Sequence, residues 1–76
     1  MRNKKAKGEK IIKALKALNM EKRGHEILNC LDEYPCEVGV TNINVPCVAD
    51  CRQIARENNV RFYTDESWGI GVFEIE

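Results

Sequence analysis

The sequence predicts one small α+β domain. Seventy-six residues, 43% of them apolar, can build a single core near the lower end of what folds alone. A run with helical spacing and good caps at both ends covers 44–58, and after two asparagines it leads into a stretch that alternates like a strand. A second alternating run, 70–75, follows a short polar loop and completes a β-hairpin.

In chain order, residues 1–8 read as a disordered basic tail and 9–76 as the domain. The first helix is expected from Glu9, whose carboxylate suits a helix N-terminus. Ile11, Ile12, Leu15 and Leu18 form its apolar stripe, with Lys10, Lys13 and Lys16 off it. Either Asn19 or Gly24 can end it. The cations Lys22 and Arg23 favour a run to Lys22 with Gly24 as the left-handed cap. His25 to Tyr34 is expected as a second short helix burying Ile27, Leu28, Leu31 and Tyr34, with Pro35 forcing the stop.

Val38 to Ile43 reads as a strand weakened at Gly39. In the next helix Asn44 caps, Pro46 sits in the first turn, and Cys47, Val48, Cys51, Ile54 and Ala55 recur on one side. Asn58 and Asn59 tolerate the left-handed geometry that ends helices. Val60 to Thr64, a loop over Asp65 to Gly69, and Ile70 to Ile75 finish the chain. Val60, Phe62, Phe73 and Ile75 suit one sheet face, while Ile70 and Val72 suit the other.

The expected order is α-α-β-α-β-β, with a small three-stranded sheet ending in a C-terminal hairpin. Two architectures fit it. In one, strand 38–43, helix 46–58 and strand 60–64 form a right-handed βαβ crossover with parallel strands, and the last strand adds as an antiparallel hairpin. In the other, three helices cluster like a helix-turn-helix and 60–75 is a wing. That order of elements resembles the winged-helix family, although no residue motif of the family is matched.

The formal net charge of zero conceals an asymmetry. Residues 1–23 carry nine basic and two acidic side chains, a net of +7, and residues 24–76 carry three basic and ten acidic ones, a net of −7. Such a split points to an interaction arm, or to a basic segment that folds back on an acidic body. No apolar run approaches membrane-spanning length, and the basic start is not followed by a signal-like apolar stretch. The expectation is a cytoplasmic chain with no membrane partner.

No catalytic constellation stands out. Ser67 and His25 are far apart, and Gly69 and Gly71 sit in a hairpin instead of a phosphate-binding strand-to-helix turn. An enzyme is not expected, and neither is a cofactor. Cys30, Cys36, Cys47 and Cys51 lack the spacing of common zinc modules, so they read as small apolar core residues and no metal site is assigned.

Two non-enzymatic functions compete. The first is a nucleic-acid-binding regulator of winged-helix type. Lys4, Lys5, Lys7 and Lys10 would supply phosphate contacts, with Asn44, Arg52, Gln53 and Arg56 at base edges. The alternative is a protein-interaction module or small inhibitor. Its acidic body and hairpin loop, with Trp68, Asp65 and Glu66, would bind a basic partner. The strand 70–75 also offers an edge to a partner strand or to a second copy, which would give a homodimer.

Overall fold

The computed structural model describes residues 4–75. The chain runs α1 (Lys4–Ala17), β1 (Ile27–Cys30), β2 (Glu37–Val40), α2 (Val45–Asn58), β3 (Arg61–Asp65) and β4 (Ile70–Glu74). The four strands make one antiparallel sheet in the order β1-β2-β4-β3.

α2 forms as the sequence predicts. The Asn44 side-chain oxygen accepts from the Cys47 N–H at 2.9 Å, proline occupies the first turn, and Asn59 is left-handed at φ 56°. The Val60 N–H then donates back to the Ala55 carbonyl at 3.0 Å, closing the helix end and aiming the chain into β3.

α1 ends by the same device. Asn19 is left-handed at φ 57°, its N–H donates to Lys16 and the Met20 N–H donates to Leu15. The helix therefore stops before Lys22, the end that the cations favoured. The reversal brings Met20 fully into the core, which running on to Gly24 would not do. α1 also begins earlier than expected. Lys4 to Gly8, read as tail, are helical, and Gly8 is buried against Leu31. Residues 1–3 of that tail lie outside the described residues.

The second expected helix does not form. Ile27–Cys30 is a strand paired antiparallel with β2, Ile27 opposite Val40 and Asn29 opposite Val38. Ile27, Leu28 and Leu31 fit a helix stripe as well as a strand followed by a turn. Pairing with β2 decides it, because that edge would otherwise be left open. The Asn29 side chain accepts from the Leu31 N–H, which starts the turn.

With two helices, the three-helix cluster of a winged arrangement is absent from the described residues. The βαβ alternative is also corrected. β2 and β3 are not neighbours, because the tight β3–β4 turn folds β4 inward to pair with both. Strand 70–75 is thus interior, and the sheet edges are β1 and β3. β2 is shorter than expected, since left-handed Asn42 turns the chain away after Val40.

Burial alternates along β3 and β4, so one sheet face is covered and the other open. Val38, Val40, Phe73 and Ile75 pack beneath Ile11, Leu15, Cys47, Cys51 and Ile54 of the helices. Phe62 and Phe73 lie side by side with centroids 4.8 Å apart. The Phe62 ring fits because its diagonal neighbour on β4, beside its partner Phe73, is glycine: a Cβ on Gly71 would stand 2.6 Å from it. Gly71→Ala is expected to destabilise the fold by about 1–3 kcal/mol through overpacking against this ring. Chemical denaturation of the variant against the parent chain measures it, and Phe62→Leu in the same background should recover part of the loss.

Candidate functional site

The helical layer holds the candidate nucleic-acid residues, but not as one patch. α1 presents Lys4, Lys10, Lys13 and Lys16 to solvent, while Lys5 is paired with Asp32 at 3.0 Å. The hydrogen bond to Asp32 raises the Lys5 pKa, followed by the direct charge attraction. Lys10 and Lys13 line the groove between the helices, where α2 contributes Glu57 and Asn58. Further along that groove α2 shows Asp50, Gln53 and Glu57.

Arg52 lies on the opposite flank of α2, with its guanidinium 5.7 Å from the Phe62 ring centroid. Arg56 is one turn further along that flank. Acidic side chains therefore separate the lysines of α1 from the arginines of α2. Two of the expected base-reading side chains are engaged elsewhere. Asn44 caps α2, and the Gln53 amide donates to Glu57 at 3.0 Å.

The open face of the sheet is a second surface. Across its middle run Leu28, Gly39, Val72 and Tyr63, with Leu28 filling the space over Gly39. Beside this row lie Cys30, Glu37, Glu74 and Arg61, and at the hairpin end Ile70 and Asp65. Tyr63 is 46% exposed, and its hydroxyl reaches across β4 to donate to Glu37 at 3.4 Å.

Burial raises the Tyr63 phenol, and Glu37, Glu74 and Asp65 push it further. Burial likewise raises the Cys30 thiol, with Glu33 and Glu37 adding to it. Both groups feel a negative field on this face. At its end the hairpin loop holds Trp68 76% exposed beside Glu66 and Asp65. Sequence reading found the hairpin residues but missed Leu28, Glu37, Val72 and Glu74. The alternation of 70–75 carried part of that signal. Leu28 was hidden by the helical reading of 25–34.

A third candidate is interior. Cys47 and Cys51 are fully buried one turn apart on α2, and all four cysteines are free thiols. Among the described residues no group of three or more His, Cys, Asp or Glu side chains is placed to hold a metal ion. His25 is 4% exposed. Its Nδ1–H donates to the Thr41 carbonyl at 3.0 Å, and its Nε2 has no partner.

Burial drives the Cys51 thiol far above its ordinary value, and the neighbouring Cys47 adds to the shift. Cys51 is thus a neutral apolar filler, not a nucleophile. At pH 8, native chain should react with a thiol reagent at Cys30 and Cys36 only, and all four cysteines should react after denaturation. The unfolded chain releases the Cys51 proton above about pH 8.5 while the folded chain keeps it, so stability must fall as pH rises past that point. Cys51→Ala should flatten this fall in a pH series of denaturation midpoints.

A cleft of about 430 Å³ lies between the start of α2 and the β3–β4 hairpin, lined by Ile43, Val45, Val48 and Thr64 with Arg52 and Glu66. Among the described residues no helix is long and apolar enough to cross a membrane. Comparison with known proteins found no family model, curated protein or solved structure that matches the chain, which leaves this geometry to carry the functional argument.

Proposed function

We propose that the chain is a non-enzymatic interaction module that binds the basic surface of another protein, as a regulator or inhibitor would. The observation that carries this is the open sheet face. It has an apolar centre of Leu28, Val72, Ile70 and Tyr63, rimmed by Glu37, Glu74 and Asp65 against one cation, Arg61, with Trp68 projecting at its end. An apolar centre inside a charged rim is the anatomy of a protein interface, and tryptophan is enriched among residues that dominate binding. The acidic rim would speed encounter with a cationic partner and disfavour nucleic acid on this face.

A second reading keeps nucleic acid as the ligand and rests on α1. Lys10, Lys13 and Lys16 are exposed, and none is in an ion pair with another described residue. Contacts from a lysine helix would be to phosphate, with strong salt dependence and little sequence preference. Base reading by α2 in the winged-helix manner has less support, since Asn44 and Gln53 are engaged and Asp50 and Glu57 flank the groove.

One pair of measurements separates the readings. Affinity capture with the native chain should recover a defined basic protein, and Trp68→Ala or the pair Glu37→Lys and Glu74→Lys should lose it. A low-salt mobility shift with duplex DNA should be weak and insensitive to those changes. A strong shift abolished by Lys10→Glu, Lys13→Glu and Lys16→Glu, with no captured protein, would reverse the order of the two readings.

A further inference from the structure

β3 pairs with β4 along one side, and no strand of the described chain pairs with its other side. Such an edge is a template for another strand unless charges or bulges guard it. Here the charges are sorted by sign along the edge. Arg61 opens the strand, with Arg52 and Arg56 on the α2 flank beside it. Asp65 closes it, and Glu66 follows. Between the two ends lie Phe62, Tyr63 and Thr64, which carry no charge.

A strand that is basic at its start and acidic at its end is complementary to itself when reversed. We propose that β3 is the surface through which two copies of this chain associate. The strands would pair antiparallel about a twofold axis at Tyr63 and join two four-stranded sheets into one of eight. In that register Phe62 of each copy faces Thr64 of the other, and Arg61 faces Asp65 at both ends of the contact. Facing residues of an antiparallel pair project to the same side, so each Arg61–Asp65 pair lies on the open face with Cβ atoms about 5 Å apart.

Arg61 is available for this contact. Its side chain is 83% exposed, and its one ion-pair contact among the described residues, to Glu74, is long at 3.7 Å. Tyr63 leans inward toward Glu37, away from the axis. One position beyond the strand, Glu66 falls opposite Val60, at the end where Arg56 stands.

On the helix side the exposed flank of α2, with Val45 84% exposed and Val48 beside it, is brought toward the same flank of the second copy. A parallel copy would set like charges together at both ends, and a uniformly acidic or basic peptide would do so at one. The order of charge along the edge therefore favours a second copy over a foreign strand. This association uses the sheet edge and does not depend on what the sheet face or α1 binds.

Sedimentation equilibrium on a dilution series of the intact chain tests it. The expected mass at high concentration is twice the 8.7 kDa of one chain. Arg61→Asp and Asp65→Arg, each alone, set like charges opposite one another and should weaken the dimer by about tenfold or more. An equimolar mixture of these two variants restores opposite charges at both ends and should form a heterodimer. That recovery also shows that each variant is folded. A mass of one chain at every concentration overturns the proposal. So does a dimer that both variants leave intact, which would use another surface, or a mixture that fails to reassociate, which would mean another register.

Discussion

The rest of the structure depends on the insertion of β4 between β2 and β3. Its inward row begins at Gly71, which leaves room for the Phe62 ring, and continues at Phe73, which lies between Val38 on one neighbour and Phe62 on the other. α2 packs against this strand, while α1 lies over β1 and β2. Were β4 on the outside, as a hairpin added to a parallel pair, Phe73 would have one flanking strand instead of two. The last strand would also be the edge. The tight turn through Glu66 to Gly69, with Gly69 left-handed, returns the chain directly beside β3, and β2 supplies the second partner.

Once the sheet is closed this way, the charge asymmetry of the chain becomes an asymmetry of faces. Lysines of α1 occupy the helical side, and Glu37, Glu74 and Asp65 occupy the sheet side. Basic and acidic segments are joined by few direct contacts. Lys5–Asp32 and Arg23–Asp50 are 3.0 Å ion pairs, the first largely exposed and worth little in water. Among the described residues the two halves are therefore not neutralised against each other. The arginines of α2 and β3 form a third group at the β3 edge, apart from the lysines.

The interior holds the soft side chains Met20, Cys47 and Cys51 and one buried polar residue, His25. Cys47 and Cys51 fill core space as small apolar side chains of α2, and burial keeps Cys51 protonated. His25 is held by one hydrogen bond to Thr41, while the neighbouring Glu26 N–H donates to the Thr41 hydroxyl at 2.8 Å. These contacts tie the start of β1 to the end of β2. They give the lone histidine a structural role that its position in the sequence does not suggest.

Sequence alone determined what depends on neighbours along the chain. Asn44 and Asn59 bound α2 because a side-chain oxygen and a left-handed backbone act within a few residues. The alternation of Val60 to Thr64 and Ile70 to Ile75 located the hairpin to within a residue at each strand, but not whether Trp68 covers it. Tertiary structure decided what depends on partners far apart. Ile27 to Cys30 suits helix or strand equally well, and the unpaired side of β2 made it a strand. Asn19 and Gly24 could each end α1, and the place for Met20 in the core chose Asn19. Lysines of α1 and arginines of α2 count as one basic set in a composition, yet they stand on opposite sides of an acidic flank. Strand order belongs to the same class, because a side-chain pattern fixes which face is buried but not which strand lies alongside.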